Sequence, residues 1–246
     1  MNYYFVSDVH LGLSDGTAGC RSDCFVAFLR EIRGRADGLY LLGDIFDFWV
    51  EYPDEIPSGY DEVLSELKIL SDSGCRIIFF KGNHDYWTLD YFERELGIEV
   101  ASKPYRVEVL NGLSICVGHG DVLGCTSTGA KIIFHLFRNP LLIKILRAFP
   151  RRLIKKFGHW WSARSRKGSS DYVFELAGSD ILNFAESLEK ESHIDHFIFG
   201  HFHKRVSRRM ESGSFIHILG DWRDGQDYLN LSGMKISGRG LPNTVI

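Results

Sequence analysis

The chain has little with which to cross-link or anchor itself. Its five cysteines (Cys20, Cys24, Cys75, Cys116, Cys125) include no C-x-x-C pair, and an odd count of thiols is no basis for a disulfide framework, so a reducing, cytoplasmic setting is expected. No run of about 18 apolar residues occurs, which leaves nothing to form a membrane-spanning helix. The opening MNYYFVSDVH passes straight into a strand-like segment, without the charged and apolar regions of an export signal. No G-x-G-x-x-G follows a strand, so there is no dinucleotide fingerprint. Internal repeats and low-complexity linkers are also missing. At 246 residues, 44% hydrophobic and 25% charged, the chain has the composition of one globular α/β domain.

A further absence is of one sign of charge. From Val122 to Ser170 there is no Asp or Glu, but there are eleven Lys and Arg: Lys131, Arg138, Lys144, Arg147, Arg151, Arg152, Lys155, Lys156, Arg164, Arg166 and Lys167. Taking those eleven from the 29 basic residues leaves 18 against 32 acidic ones, a +11 insert in a −14 body. Leu142, Ile145, Leu146 and Phe149, then Leu153, Phe157, Trp160 and Trp161, recur at helical spacing. Pro140 and Pro150 stand where first-turn prolines open helices. The insert, 122–170, therefore reads as a cap of short amphipathic basic helices suited to a lipid or a membrane surface. Nucleic acid competes for a basic patch, but the alternation of charge with aliphatic clusters such as IIFHLF and LLIKIL suits acyl chains better.

What is present is a set of five short segments that each end an apolar run with polar, metal-binding side chains. They are FVSDVH (Asp8, His10), LLGDIFD (Asp44, Asp47), FFKGNHD (Asn83, His84, Asp85), ICVGHGD (His119) and FIFGHFH (His201, His203). Each run is short and rich in β-branched or aromatic residues, as buried strands are. If such strands end in one sheet, their polar tails meet at its carboxyl edge, where ligands bind in open α/β sheets. Two Asp, four His and one Asn make an oxygen and nitrogen donor set for hard or borderline divalent ions. Seven donors are more than one four-coordinate ion needs and fit two ions sharing a carboxylate. Such a pair acidifies a bridging water and holds phosphoryl oxygens during in-line displacement. Asp47, Asp85 and Asp121 are expected to orient ligand imidazoles, and His84 is free to donate a proton or hydrogen bond to a phosphoester.

These blocks, D-x-H, G-D-x-x-D, G-N-H-D, an isolated His and G-H-x-H, stand in the order found in the calcineurin-like metallophosphoesterases, which the chain resembles from Asp8 to His203. The resemblance implies one ion on Asp8, His10, Asp44 and His203, and a second on Asp44, Asn83, His119 and His201, with Asp44 bridging. It implies Mn²⁺ as the usual metal, His84 and Asp44 as catalytic residues, and Asn83 and His84 beside the substrate phosphate. It also implies a four-layer αββα sandwich of two mixed sheets.

With the basic cap, the chain looks like the lid-bearing subgroup of that family that hydrolyses UDP-2,3-diacylglucosamine in lipid A biosynthesis, at the cytoplasmic face of the Gram-negative inner membrane. GDIFDFW fits that subgroup's second block, and HWWSARSRK resembles a lid segment. The likeness implies a lipid-nucleotide substrate, peripheral attachment to the inner membrane, and no nucleic acid or obligate protein partner. It also implies attack on the α-phosphorus by hydroxide held between the two ions, releasing UMP and 2,3-diacylglucosamine 1-phosphate. Trp161, Ser162, Arg164, Ser165, Arg166 and Lys167 are the expected cap contacts to the substrate. One position departs: the best-known branch of the subgroup has Arg where this chain has His84. The alternatives are a phosphoesterase acting on a soluble diester, dinucleotide or phosphoprotein, and a non-catalytic scaffold.

Organisation follows from the same pattern. Helices are expected near 20–35, 60–73, 89–96 and 172–191, with parallel βαβ units in the first half and an antiparallel-rich second half around Asn111-Gly112 and Ser212-Gly213. The chain is read as one metallophosphoesterase domain over 1–246, with residues 232–246 as a poorly ordered tail, an extended edge segment being the alternative. His217 and Trp222 are read as a core histidine and a packing tryptophan, and His135, His159, His193 and His196 receive no role.

Overall fold

A computed structural model describes all residues except 14–17, 126–131, 133–134, 137–138, 155, 159, 161, 163–174, 224 and 239–246. Strand alternation explains its layers. In β1 (Asn2–Val6), β2 (Gly38–Leu41) and β3 (Arg76–Phe79), Val6, Leu39, Leu41, Ile77 and Phe79 face one cluster. They meet Phe25, Phe28, Val63, Leu67 and Phe92 from helices α1 (Ala18–Ile32), α2 (Asp61–Asp72) and α3 (Tyr91–Arg94). The intervening Phe5, Tyr40 and Ile78 point the other way, onto Ile115, Val117 and Ile198 of a second sheet. That sheet contains β6 (Leu113–Gly118), β7 (His196–Phe199) and β9 (Phe215–Ile218). Its outward-facing Cys116, Phe197, Phe199 and Ile216 pack on Ile181 and Ala185 of a helix that we label α5 (Asp180–Glu189). The period-2 alternation of apolar strands buried on both faces thus builds the αββα sandwich.

The first sheet runs β11-β10-β1-β2-β3-β4, adding β4 (Glu99–Val100), β10 (Tyr228–Ser232) and β11 (Lys235–Gly238). The second runs β5-β6-β7-β9-β8, with β5 (Tyr105–Leu110) and β8 (Val206–Arg209) at its edges. β1, β2, β3 and β4 are parallel, as expected of βαβ units. The later half is mixed: β5–β6, β8–β9 and β10–β11 are antiparallel, while β6–β7 and β7–β9 are parallel. Asn111 and Gly112 both have positive φ, 51° and 87°, the conformation a two-residue hairpin demands.

Two helices are shorter than their patterns. The carboxylate of Glu51 accepts the N–H groups of Leu89, Asp90 and Tyr91, which fixes the start of α3 at Tyr91, and Gly97 at φ 68° lies just beyond its end. Gly178, at φ 73°, and the Ser179 cap, whose hydroxyl accepts Leu182 N–H, hold α5 to a start at Asp180. In the tail, Lys235–Gly238 is an edge strand paired with β10, and 239–246 lie outside the described residues.

In the basic insert, α4 (Pro140–Arg147) opens on Asn139, whose side chain accepts Leu141 and Leu142 N–H, with Pro140 in its first turn. Residues 151–154 are helical after Pro150. Ile143, Leu146, Ile154 and Phe157 pack on Phe48, Val50, Tyr52 and Trp87. The opposite side leaves Leu141, Ile145, Phe149, Leu153 and Trp160 about half exposed or more.

Candidate dinuclear metal site

The five blocks are split between the two sheets rather than gathered on one. The loops after β1, β2 and β3 carry Asp8 and His10, Asp44, and Asn83 and His84; those after β6 and β7 carry His119, His201 and His203. Parallel pairing within each sheet brings these ends to one side. The loops continue the ladders: Asp8 N–H donates to Gly43 O at 3.1 Å, His10 N–H to Asp44 O at 3.0 Å, and Gly200 N–H to His119 O at 2.9 Å.

Five of the six described non-glycine residues with positive φ are predicted ligands: Asp8 (54°), His10 (50°), Asp44 (52°), His201 (74°) and His203 (53°). For a residue with a Cβ this conformation costs on the order of 1–3 kcal/mol and persists only where the surroundings impose it. Small neighbours permit the approach. A Cβ on Gly82 would run into the Asp44 carboxylate, one on Gly200 into Ser7 and Asp8, and one on Gly43 into the His119 ring. The glycines of the GD, GN and GH blocks are therefore space for ligands.

The donors fall into two groups that share Asp44. Ligand atoms of Asp8, His10, Asp44 and His203 lie within 4.8 Å of one another, as do those of Asp44, His119 and His201. Asn83 joins the second group, its Oδ1 standing 3.3 Å from His119 Nε2 and 3.1 Å from His201 Nδ1. The structure brings these seven residues together, and His10 also groups with Asp47 and His84.

The polar atoms face one another in a way that calls for a cation. His119 Nδ1 is 2.8 Å from Leu42 O; a carbonyl only accepts, so Nδ1 carries a hydrogen, and Nε2 is turned to Asn83 Oδ1, 3.3 Å away, and to Asp44 Oδ2, 3.4 Å away. His10 Nε2 and His203 Nε2 are 3.1 Å apart. Asp8 Oδ1 is buried with no hydrogen-bond partner. Burial pulls the His119 imidazole down, but Asp44, followed by Asp121 and Asp8, overcomes it and raises its pKa to about 10. Burial, then the neighbouring His119 charge, drops His201 to about 4. Asp44 is held well below the usual carboxylate range against its own burial, chiefly by His119 and His84. The cluster therefore draws positive charge to a few atoms, and its donor set fits two divalent ions.

His84 is 5% exposed. Its N–H donates to Asp44 Oδ1 at 2.9 Å, and its Nδ1 donates to Asp47 O at 2.9 Å, leaving Nε2 as the working nitrogen. Asp47 Oδ1 lies 3.6 Å from His10 Nδ1 and 3.8 Å from His84 Nδ1, near both imidazoles but beyond hydrogen-bond distance. Asp121 acts on His119 and His201 by charge. Asp85 differs from its expected role. Its carboxylate accepts the backbone N–H groups of Gly82, Asp44, Ile45 and Phe46, so it holds two ligand loops together instead of orienting an imidazole.

Among the predicted cap contacts, Trp161, Arg164, Ser165, Arg166 and Lys167 lie outside the described residues. Ser162 is fully buried and donates to Asp47 Oδ1 at 2.6 Å. The pattern of motifs gave no hint of this bond. Nor did it point to Arg151, which reaches Asp54 and Glu55 from the cap, or Arg147, which reaches the Trp87 and Thr88 carbonyls.

Known proteins are similar to this chain over most of its length. The chain is 33% identical over 236 residues to the UDP-2,3-diacylglucosamine hydrolase of Porphyromonas gingivalis, covering 89% of each chain. It is 30% identical over 246 residues to the enzyme of the same name from Ectopseudomonas mendocina, covering 96% of this chain and 94% of that one. A solved archaeal phosphodiesterase aligns with a TM-score of 0.48 at 13% identity, over 97% of this chain and 98% of the other. The profile of the calcineurin-like phosphoesterases matches residues 1–205, and the chain is a metal-dependent hydrolase belonging to that family.

Proposed function

We propose that the protein hydrolyses the pyrophosphate bond of UDP-2,3-diacylglucosamine, giving 2,3-diacylglucosamine 1-phosphate and UMP. The observation that carries this reading is the placement of a site fit for two metal ions beside a basic cap with apolar surfaces. A cavity of about 320 Å³, lined by Phe48, Val50, Tyr52, Tyr60 and the cap's Ile154, opens next to Asp47. Phosphate chemistry and room for hydrocarbon thus meet at one place, as a phosphorylated amphiphile requires. The names of the relatives in Porphyromonas and Ectopseudomonas support the same substrate.

Asp8, His10, Asp44 and His203 would hold one ion, and Asp44, Asn83, His119 and His201 the other, with Mn²⁺ the expected metal. Bound there, two divalent ions acidify a water and neutralise charge on the phosphoryl oxygens. The chain's own residues do the rest. Asp44 is placed between the groups by His84 N–H and by the loop that Asp85 ties down. His84 Nε2 faces the site with its tautomer set by Asp47 O, so it can hydrogen-bond the phosphoester or hand on a proton. Neutral imidazoles and the Asn83 amide limit negative charge near an anionic substrate. In the cap, Trp161, Arg164, Ser165, Arg166 and Lys167 are the proposed contacts to sugar and phosphate. Ser162, with its hydroxyl on Asp47, is the exception.

The exposed apolar residues Leu141, Ile145, Phe149 and Leu153, interspersed with Lys and Arg and free of acids, suit the headgroup boundary of an anionic membrane. Peripheral association with the cytoplasmic face of a Gram-negative inner membrane follows from this reading. No described helix is long and apolar enough to cross a bilayer.

The test is to incubate metal-stripped protein with UDP-2,3-diacylglucosamine, with and without Mn²⁺, and follow UMP. Mn²⁺-dependent release is expected. Activity on a soluble diester without UMP release from the lipid would discard the substrate and keep the metal site; activity on neither, with no Mn²⁺ bound, would leave a scaffold. Arg166→Ala should lower kcat/KM on the lipid roughly tenfold while leaving a small diester within about twofold; equal losses would remove Arg166 from the recognition surface.

A further inference from the structure

Beside the apolar packing of the cap on Phe48, Val50, Tyr52 and Trp87, four described contacts between cap and core end on different kinds of group. Arg151 reaches the surface carboxylates of Asp54 and Glu55. Arg147 reaches the Trp87 and Thr88 carbonyls. Gly158 lies so close to Phe48 that a Cβ would enter the ring. Ser162 alone reaches a carboxylate that touches the metal-site histidines.

That contact is well defined. Ser162 and Asp47 are 0% and 3% exposed, and their oxygens are 2.6 Å apart. A hydroxyl has one hydrogen, and an ionised carboxylate accepts only, so the Ser162 proton is committed to Asp47. The oxygen it binds, Oδ1, is the same one that stands 3.6 Å from His10 Nδ1 and 3.8 Å from His84 Nδ1. His10 Nδ1 is buried with no hydrogen-bond partner of its own, so the setting of Asp47 decides whether that nitrogen gains one. Fixing Oδ1 fixes the rotation of the carboxylate, and the carboxylate faces one nitrogen of a predicted ligand and one of the predicted phosphate-side histidine.

We propose that Ser162 is a positioning residue through which the seated cap sets the Asp47 carboxylate and, with it, the His10 ring, so that the cap completes the metal site. The proposal rests on the reading of the cluster as a metal site. It makes substrate recognition and chemistry interdependent: a ligand that seats the cap also tightens the ion on His10.

The experiment is calorimetric titration of Mn²⁺ into the metal-stripped full chain, with no substrate, for wild type, Ser162→Ala and Gly158→Leu. Partners that orient a metal ligand typically contribute 10–100-fold in affinity. Ser162→Ala is therefore expected to weaken one of the two ions about tenfold, leaving the other within about twofold and the melting temperature unchanged. Gly158→Leu keeps the hydroxyl but drives the cap from Phe48, and should weaken the same ion. Wild-type affinity for both ions in Ser162→Ala overturns the proposal, as does an equal loss at both ions accompanied by a lower melting temperature, which marks a merely structural bond. If the wild type binds no Mn²⁺, the metal-site reading falls and the proposal with it, an outcome distinct from the failure of Ser162 alone.

Discussion

The metal-site loops and the basic cap solve opposite problems. In the loops Asp8, Asp44 and Asp85 are sealed from solvent, left-handed backbone is imposed at five ligands, and ladder hydrogen bonds tie each loop to the next. The described part of the cap meets the core through one small apolar cluster and a handful of polar contacts and leaves Leu141 and Leu153 more than half exposed. Groups that must stay fixed to within fractions of an ångström are built into the ends of buried strands, where strain can be over-determined. Under the proposed function, the groups that accommodate an amphiphilic substrate ride on helices with an exposed outer side. On that reading the same loops could serve many phosphoesters, and the cap would select among them.

The sharpest way to break that division is at Asp44, which belongs to both ligand groups. Asp44→Ala should lower turnover of the lipid and of a small soluble diester alike, by about 10⁴-fold or more, as losses at residues acting as one unit do. A loss confined to the lipid would show that Asp44 serves recognition and not chemistry.

A second contrast is acid sensitivity, which the core has through a pair of histidines outside the metal site. His196 Nδ1 and His217 Nε2 are 3.1 Å apart, and Ser207 Oγ is 2.8 Å from His217 Nδ1. Burial lowers His196 to about 4, and burial together with the neighbouring His196 lowers His217 to about 3. In the unfolded chain both titrate near 6.5, so the unfolded state takes up more protons as the pH falls. The stability from keeping them neutral is complete above about pH 6.5 and is lost as the pH drops toward 4 and 3, amounting to a few kcal/mol. Denaturant unfolding from pH 7 to 4 should show this loss, and His217→Gln should flatten it. An unchanged pH profile would mean that other groups set the acid limit.

Membrane attachment is the next smaller effect. Leu141→Ser with Phe149→Ser removes two of the exposed apolar side chains. Each such group contributes up to about 1.5–3 kcal/mol when fully buried, and partial immersion yields a fraction of that. Sedimentation with anionic vesicles should show binding reduced roughly tenfold, with hydrolysis of a soluble diester unchanged. Undiminished vesicle binding would place the membrane contact on another surface.

How much of this was legible in the sequence follows the same division. The candidate ligands could be picked out because each ends a short apolar run, and both the run and its polar tail are local properties. The four layers were legible from the strand pattern together with the family likeness. The left-handed backbone at His10, His201 and His203 was not, because histidine carries no strong signal for it, unlike glycine. Asp85 was read as an imidazole partner because spacing puts it next to His84; its preference for four backbone N–H groups depends on how the Gly82 and Asp44 loops pack. His217, in strand β9, was read as a core residue and His196, in strand β7, was given no role, and only the parallel register of those strands makes them a pair. The bond from Ser162 to Asp47 spans 115 residues and leaves no periodic trace. Helix ends at Tyr91 and Ser179 were missed because distant or capping side chains, Glu51 and Ser179 itself, override the hydrophobic pattern.

The smallest expected effect is at Arg151, and it tests how loosely the cap is held. Its guanidinium bonds Asp54 Oδ2 at 2.7 Å and Glu55, and it lies 4.8 Å from the centre of the Tyr52 ring. The Asp54 carboxylate is largely exposed and that of Glu55 partly so, so water and salt screen the attraction. Arg151→Ala should raise KM for the lipid only about two- to threefold and leave the soluble diester unchanged, and 0.5 M NaCl should have the same effect on the wild type, about as much as screening of exposed pairs allows. Steady-state kinetics on the two substrates decides the matter. A loss of tenfold or more on both would mean that the outer attachments also set the metal site, and that cap and core are one machine whose parts cannot be varied separately.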